Sequence, residues 1–311
     1  MRSGANLQIE KGTTHTVTSK SKAELALLGT TLIWGNTFVA LKYVLRDTSP
    51  LMNVSTRFVV AGLIFLFLFR KTLFPIPRSA VVKGFILGLF LFLGFISQNI
   101  GLKYTTASKS AFITGMMVVF VPLLQIIVER RAPKMGNILG VVMVAVGLWL
   151  LTSPEGSEFN MGDALTVVCA VVFAVYVVYL DVISKEMTTA QLTFLQIASC
   201  AAYSWVALLW TEKPTFAMSA TSFAALAYLT LLATVLTTYV QTRFQKDTTP
   251  TRAAIIFSVE PVLASISAYF ILDEQLGAAG VLGGGLIVGG VLVSELSDNI
   301  AGLNRAFDRG Q

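Results

Sequence analysis

Ten apolar runs, each roughly twenty residues long, follow one another along the chain with only short polar connections between them. A helix rises about 1.5 Å per residue, so about twenty apolar residues cross the roughly 30 Å hydrocarbon core of a bilayer. The sequence therefore predicts an all-α integral membrane protein with ten transmembrane helices, spans 1 to 10. The runs cover about residues 24–45, 50–69, 80–102, 108–128, 135–151, 161–183, 190–210, 222–242, 251–271 and 277–295.

The charge distribution predicts an orientation. Only 13% of the residues are charged, whereas soluble domains carry about 25%. Most of the 23 Lys and Arg residues lie in the two tails and in the loops after the even-numbered spans up to span 8. This bias predicts that both termini face the cytoplasm. The formal net charge of +6 therefore reflects membrane topology, and we expect a lipid bilayer rather than nucleic acid as the partner.

Several classes of protein are disfavoured by what the chain lacks. It contains no GxxxxGK[ST] phosphate loop and no HExxH metal motif. Its one histidine, His15, lies in the polar tail 1–23, which has no apolar region of the kind found in secretory signals. Cys169 and Cys200 fall within spans, where we expect them to pack as small apolar groups. We expect no enzyme activity, no cofactor and no metal site.

The second half of the chain repeats the first. A shift of 143 positions aligns Gln98 with Gln241 and Thr105-Thr106 with Thr248-Thr249. It also places span 4 on span 9, so each repeat holds five spans. Because five is odd, the second repeat enters the bilayer upside down, as in many secondary transporters; a duplicated packing unit without transport is the alternative. The predicted domains are an N-terminal tail, two inverted five-helix repeats and a C-terminal tail, at 1–23, 24–151, 161–296 and 297–311.

Four segments carry a family resemblance: LIWGNTFVALK (32–42), STRFVVAGL (55–63), GFISQNIGLKYTTASKSAFITG (94–115) and DTTPTRAAIIFSVEPVLASISAYFILDEQL (247–276). In this order and spacing they resemble EamA-type permeases of the drug/metabolite transporter superfamily, over about residues 24–296. Span 4 departs from the pattern, because no glutamate precedes Pro122. The resemblance implies a ten-helix inner-membrane carrier, commonly an exporter of amino acids, other metabolites or drugs, whose central cavity is lined by spans 1, 3, 4, 6, 8 and 9.

Glu260 and Pro261 stand together near the midpoint of span 9. A carboxylate at this depth is costly unless it is paired, hydrated or protonated. It could hold the amino group of a substrate, carry a proton as the cavity changes sides, or bond a neighbouring helix as a neutral acid. Proline usually kinks a helix, so Pro261 and Pro122, which lies near the middle of span 4, are predicted as hinges, with static kinks as the alternative.

Arg57 lies seven residues into span 2 and keeps its charge at any physiological pH. It could pair with Glu260, bind a substrate carboxylate, or extend to the outer membrane interface. The interfacial placement is slightly favoured by its depth.

The remaining candidates are polar and aromatic residues within spans, predicted to line the cavity and bind substrate: Trp34, Asn36, Gln98, Tyr176, Tyr179, Tyr239 and Gln241. An asparagine at mid-depth must face protein or water. The two glutamines occupy matching repeat positions, which suits gates on opposite sides of one cavity or ordinary interhelical hydrogen bonds. Tyrosines can contact a solute or pack in the protein core.

Other residues are predicted to hold the helices together. Gln196 is predicted to form a hydrogen bond with a neighbouring helix. Three glycine pairs are predicted to let helices approach closely: Gly84/Gly88, Gly136/Gly140 and Gly285/Gly289.

The sequence thus predicts a secondary transporter that exports small organic metabolites, amino acids or related solutes, across the inner membrane by alternating access. A gradient of protons or of another solute would drive it, because the chain has no nucleotide motif. Two alternatives stay open at this point: a multidrug or organic cation exporter, and a passive facilitator of small solutes. The sequence leaves open whether the protein is a monomer or a homodimer.

Overall fold

The structure, a computed structural model, describes residues 19–130, 133–152, 159–211, 213–275 and 277–308. Most of the predicted N-terminal tail and residues 309–311 of the C-terminal tail lie outside this part of the chain. Within it the protein is helical, apart from connections and one isolated bridge between Thr48 and Phe216.

Ten helical segments, α1 to α10, follow the ten predicted apolar runs in the described part of the chain. Eight of them are long and apolar enough to cross a membrane, whereas α5 and α10 contain shorter apolar stretches, Met135–Leu150 and Ala278–Ser294. The prediction of an all-α membrane protein is confirmed. The segments are α1, Ser19–Trp34 and Thr37–Asp47; α2, Pro50–Leu73; α3, Arg78–Leu102; α4, Ala107–Gly115 and Met117–Glu129; α5, Met135–Thr152; α6, Met161–Ser184; α7, Thr189–Thr211; α8, Ala220–Thr230, Leu231–Leu236 and Thr237–Phe244; α9, Pro250–Phe257 and Glu260–Leu272; and α10, Ala278–Asp308.

Four helices are irregular near their middle. α1, α4 and α9 are each divided into two halves, and α8 contains one π-helical segment, Leu231–Leu236. The break in α4 falls at Met116, before Pro122, which lies inside the second half; a proline conflicts with the turn that precedes it. Pro261 stands in the first turn of the second half of α9, where its missing N–H is not needed. Both prolines therefore follow an interruption, and whether they act as hinges stays a prediction.

Helices α5 and α10 pack on each other through glycines. A Cβ on Gly140 would lie 2.9 Å from the carbonyl oxygen of Gly290, and one on Gly147 would lie 2.6 Å from that of Gly283. The 143-residue shift relates Gly140 to Gly283 and Gly147 to Gly290, so the two contacts exchange partners. Such an exchange is what a local two-fold axis produces. The two helices are therefore antiparallel and symmetry-related.

The other predicted glycine contacts have mixed outcomes. Gly84 and Gly88 of α3 pack directly against Leu195 and Ser199 of α7, as predicted. Gly285 has no neighbour within 4 Å of the position of a Cβ. A Cβ on Gly289 would lie 3.3 Å from Cε of Met143 in α5. Of the predicted pair only Gly289 therefore faces α5, and the close backbone contacts are made by Gly283 and Gly290.

We expect Gly147→Ala to lower the thermal unfolding temperature of the detergent-solubilised protein. Its new methyl group would press on the backbone of α10, and overpacking of this kind costs about 1–3 kcal/mol. Gly285→Ala is the matched control: its methyl group has open space, and alanine is the better helix former, so its unfolding temperature should equal or exceed the wild-type value. Equal losses in both variants would contradict the glycine packing described above.

Candidate functional site at a central cavity

A cavity of about 70 Å³ lies at the centre of the bundle. One water molecule needs roughly 10–15 Å³ of such volume, so the cavity has room for several. Its walls come from α1, α3, α4, α6, α8 and α9, together with Arg57 of α2. Except for α2, these are the helices that the family resemblance implied.

The cavity lies on the local symmetry axis. Six pairs of its lining residues are related by the repeat: four by the shift of 143 positions and two, in α1 and α6, by a shift of 139. Met117 is the counterpart of Glu260, so the cavity carries this carboxyl group once. The pairs are Phe95/Thr238, Gln98/Gln241, Thr114/Phe257, Met117/Glu260, Trp34/Phe173 and Thr37/Tyr176.

The helix breaks position the lining residues. Trp34 and Thr37 flank the break in α1, Thr114 and Met117 flank that in α4, and Phe257 and Glu260 flank that in α9. The breaks also let the helices come close together. A Cβ on Gly115 would lie 2.7 Å from Cγ of Pro261, and one on Gly35 would overlap the side chain of Leu263. Irregular backbone is tolerated at membrane depth where it borders a cavity or protein.

Glu260 is half-buried and faces the cavity. Within the part of the chain that the structure describes, no hydrogen bond or ion pair engages its carboxyl group. Beside it, the rings of Trp34 and Phe257 pack edge to face with centroids 5.2 Å apart. The interpretation of Glu260 as a bond between helices thus finds no partner among the described residues, and the carboxyl group is available to water or to a solute.

Arg57 is buried in the bundle, with 2% of its surface exposed. Its Nε donates to Oγ1 of Thr234 at 2.5 Å and its Nη2 to the carbonyl oxygen of Ala233 at 2.9 Å. Both acceptors belong to the π-helical segment of α8, and the guanidinium lies 4.6 Å from the ring centroid of Phe95. The slightly favoured interfacial placement of Arg57 is therefore wrong, because the side chain points inward to these acceptors. No carboxylate pairs with it among the described residues, Glu260 included.

Other walls of the cavity are held by hydrogen bonds between helices. Oη of Tyr176 donates to Oε1 of Gln196 at 2.7 Å, and Nε2 of Gln196 donates to Oγ1 of Thr242 at 2.9 Å. This chain joins α6, α7 and α8 and confirms the predicted role of Gln196. Trp34 is fixed in the same way, because its Nε1 donates to Oγ1 of Thr237 at 3.1 Å.

The two symmetric glutamines, Gln98 and Gln241, are both buried and both line the cavity. Nε2 of Gln241 donates to Oε1 of Gln245 at 3.0 Å, and Nε2 of Gln245 donates to the carbonyl oxygen of Val177 at 2.7 Å. Gln241 thus belongs to a network that reaches α6. Whether the two glutamines gate the cavity stays a prediction.

Three predicted cavity residues lie elsewhere. Asn36 is exposed at the break of α1, where its Oδ1 accepts from Oγ of Ser267 at 2.7 Å. Tyr179 lies about one turn beyond Tyr176 and packs edge-on against Phe90. Tyr239 packs on aromatic rings of α2, with a centroid distance of 5.2 Å to Phe69. For Asn36 the physical reason is the helix break, which turns the side chain out of the cavity-facing direction.

Several lining residues escaped the sequence analysis, among them Phe95, Thr114, Met117 and Phe173. They are apolar or weakly polar and look like ordinary core. The repeat offered a signal for some of them, because the shift from Glu260 leads directly to Met117. Ala233 had no such signal, since its role depends on a π-helical backbone.

Comparisons with known proteins agree with this architecture. The model of the EamA-like transporter family matches residues 21–153 and 160–296. The chain belongs to this family. The two matched segments correspond to the two halves related by the repeat.

Individual relatives extend the match. An uncharacterized transporter of Archaeoglobus fulgidus is 30% identical over 275 residues, which cover 88% of this chain and 86% of that protein. The S-adenosylmethionine/S-adenosylhomocysteine transporter of Chlamydia muridarum is 34% identical over 86 residues, 27% of each chain. A crystal structure with 18% sequence identity matches with a TM-score of 0.75 over 89% of this chain and 97% of its own. That structure shares the fold.

We expect Tyr176→Phe to lower the thermal unfolding temperature, because the buried Oε1 of Gln196 would lose its donor. The loss should be about 1 kcal/mol. Tyr203→Phe is the matched control, since the Tyr203 hydroxyl makes only a long, 3.4 Å contact with the carbonyl oxygen of Phe85 at a more exposed position. Unfolding in detergent, followed by intrinsic fluorescence, measures both. An unchanged midpoint for Tyr176→Phe would show that the chain of hydrogen bonds contributes nothing to stability.

Proposed function

We propose that this EamA-like transporter is a secondary transporter that exports small organic metabolites, amino acids or related solutes, across the inner membrane by alternating access. One observation carries the proposal. A buried cation, Arg57, and a carboxyl group, Glu260, face the same central cavity without an ion-pair partner among the described residues. A zwitterion complements both groups, with its carboxylate toward the guanidinium and its ammonium toward the glutamate.

The proposed membrane arrangement has ten spans in two inverted repeats, 24–151 and 161–296, with the tails 1–23 and 297–311 in the cytoplasm. The partner-exchanging contact between α5 and α10 supports the inversion, since it relates antiparallel helices. The concentration of Lys and Arg in the even-numbered loops and tails supports the orientation. Alternating access would then be a rocking of one repeat against the other about the cavity.

The surroundings of Arg57 support a role in binding. Its two hydrogen bonds go to neutral oxygens, which leaves its charge uncompensated. A buried charge without an ionic partner costs free energy, and an apolar residue of similar size avoids that cost. A purely structural Arg57 would therefore be expendable. A solute carboxylate would supply the missing charge and accept the remaining N–H donors of the guanidinium.

Glu260 supports coupling to protons. A carboxylate that binds a solute ammonium cannot be protonated at the same time. Release of the solute on one side would therefore favour uptake of a proton, and the proton would return to the other side in the next half of the cycle. Competition for this one group would link export of the solute to import of the proton.

A second candidate is the export of lipophilic organic cations. The rings of Trp34 and Phe257 next to Glu260 favour it, because aromatic faces attract cations. The charge of Arg57 in the same cavity opposes it. S-adenosylmethionine, named for the Chlamydia muridarum relative, is both an amino acid and a cation, and it would suit either candidate. Competition by lipophilic cations but not by zwitterions would favour this second function.

The first test of the proposed function is an untargeted comparison of metabolites in cells that make or lack the protein, followed by uptake of the accumulated or depleted solutes into proteoliposomes. Saturable uptake that accelerates when the vesicles are preloaded with the same solute supports a carrier. Flux that does not saturate would instead support a passive facilitator.

We expect Arg57→Met to be at least as stable as the wild type in detergent and yet to lose amino acid counterflow in proteoliposomes. Methionine has a similar length and removes the uncompensated buried charge. Arg57→Lys, which keeps the charge but not the forked geometry, should retain part of the activity. Wild-type counterflow by Arg57→Met would rule out a carboxylate site at this residue.

We expect Glu260→Gln to make solute transport insensitive to an imposed pH gradient, because the amide is isosteric but cannot exchange a proton. Solute counterflow, which needs no net proton movement, should persist at a reduced rate. The measurement compares uptake with and without a pH gradient across the vesicle membrane. A variant that transports at the wild-type rate with the same response to the gradient would remove Glu260 from the coupling mechanism.

A further inference from the structure

Two buried ionic networks join the repeats, and they are related by the repeat. In the first, called the Asp163 network, Nζ of Lys109 lies 2.6 Å from Oδ2 of Asp163, and Oγ1 of Thr105 donates to Oδ1 of Asp163 at 2.8 Å. Lys109 and Thr105 stand at the start of α4, in the first matched segment of the family, and Asp163 at the start of α6, in the second. Asp163 is fully buried.

The second network, called the Glu24 network, is also built from a cation, a carboxylate and a threonine. Nε of Arg252 lies 2.6 Å from Oε1 of Glu24, and Oγ1 of Thr248 donates to the same oxygen at 3.2 Å. Arg252 and Thr248 stand at the start of α9, and Glu24 in the first turns of α1. The cation and the acid expose only 3% and 8% of their side chains. Because α9 and α1 belong to different repeats, this network also crosses between them.

The repeat relates the two networks residue by residue. The shift of 143 positions carries Thr105 to Thr248 and Lys109 to Arg252, and the shift of 139 carries Glu24 to Asp163. The same N-cap orients both cations: the hydroxyl oxygen of Thr106 accepts from the backbone N–H of Lys109, and that of Thr249 from Arg252. A threonine cap fixes the first turn of a helix. Each cation is therefore held facing the other repeat.

The networks lie at opposite ends of the molecule. Consecutive helices are joined by short connections and run antiparallel, so α4 and α6 begin at one end and α1 and α9 begin at the other. The cavity lies between them, next to the breaks in α1, α4 and α9. An opening between α4 and α6 at one end, or between α1 and α9 at the other, would first have to break the network at that end.

We infer that the Asp163 and Glu24 networks are the two gates of the transport cycle, and that each holds its own end of the cavity closed. This inference rests on the alternating access proposed above. Breaking a buried, hydrogen-bonded ion pair is unfavourable because both charges must be hydrated again. The two gates therefore set the balance between the states open to either side.

A second pair of contacts between α4 and α9 differs between the two ends. At the Asp163 end, the carboxylate of Glu274 accepts from the backbone N–H groups of Ala107 and Ser108 and from the Ser108 hydroxyl, at 2.9, 3.0 and 2.5 Å. At the Glu24 end, the corresponding position, Thr251, donates its N–H and hydroxyl to the neutral amide oxygen of Gln125 at 3.3 and 2.6 Å. Hydrogen bonds to charged groups are the stronger ones. The contact through Glu274 is therefore assisted by a charge, whereas the contact between Thr251 and Gln125 is neutral.

The test uses a single reporter, Met117→Cys on the cavity wall, in the full chain with Cys169 and Cys200 replaced by alanine. A membrane-impermeant maleimide is added to right-side-out and to inside-out vesicles, so that labelling reports access from each face without any solute. We expect Arg252→Gln to raise the labelling rate from the face where α9 begins by about fivefold or more and to lower it from the other face. Lys109→Gln should raise the labelling rate from the face where α4 begins and lower it from the face where α9 begins.

Two sets of variants separate gating from general loosening. Arg243→Gln breaks an ion pair within one repeat, Arg243 to Asp247 at 3.1 Å, near the same end of the molecule as Arg252, and should leave both rates unchanged. The reciprocal exchange Glu24→Arg with Arg252→Glu should restore the labelling pattern that either single change disturbs. Should a charge variant fail to fold, Thr248→Val and Thr105→Val remove only the threonine bonds and should give smaller shifts in the same opposite directions.

Equal acceleration from both faces, or no change with Arg252→Gln and Lys109→Gln in folded protein, would overturn the gate proposal. If such variants still transport solute, the proposed function stands without these gates. Conversely, opposite labelling shifts in a protein that carries none of the tested solutes would support the gates and contradict the proposed substrates.

Discussion

Hydrocarbon offers no hydrogen-bond partner to a polar group, and the structure of this protein is organised around that constraint. Its helices satisfy their own backbones, and the polar side chains within them turn inward, toward each other or toward a small central cavity. Tyr176, Gln196 and Thr242 satisfy one another across three helices. Arg57 and Glu260 depart from this pattern, because their charges have no ionic counterpart in the described chain. These are the two charged groups in the cavity that a solute of opposite charge could pair with.

Interrupted helices form the cavity that Arg57 and Glu260 face. The breaks in α1, α4 and α9 and the π-helical segment of α8 all border the cavity. The carbonyl oxygen of Ala233, in the π-helical segment, accepts from Nη2 of Arg57. At the breaks Gly115 packs against Pro261 and Gly35 against Leu263, so that helices from the two repeats are in contact. The interrupted helices thus both line the cavity and hold the two repeats together beside it.

Much of the fold could be predicted because bilayer thickness restricts how long a spanning helix can be, and each of the ten apolar runs has become a helix. The repeat correctly paired Gln98 with Gln241, which both line the cavity. The failures were local. Asn36 was misplaced because a helix break shifts the direction of every side chain after it, and periodicity cannot register such a shift. The burial of Arg57 depends on acceptors in a π-helical turn that the sequence LLATVL does not reveal.

The symmetry of the cavity is incomplete at one position: the first repeat has Met117 where the second repeat has Glu260. An acid at both repeat-related positions would offer two equivalent sites. This chain has one. In the proposed cycle that asymmetry limits the stoichiometry at the centre to a single titrating charge per turnover, and with it the steepness of the concentration ratio that a given gradient can sustain.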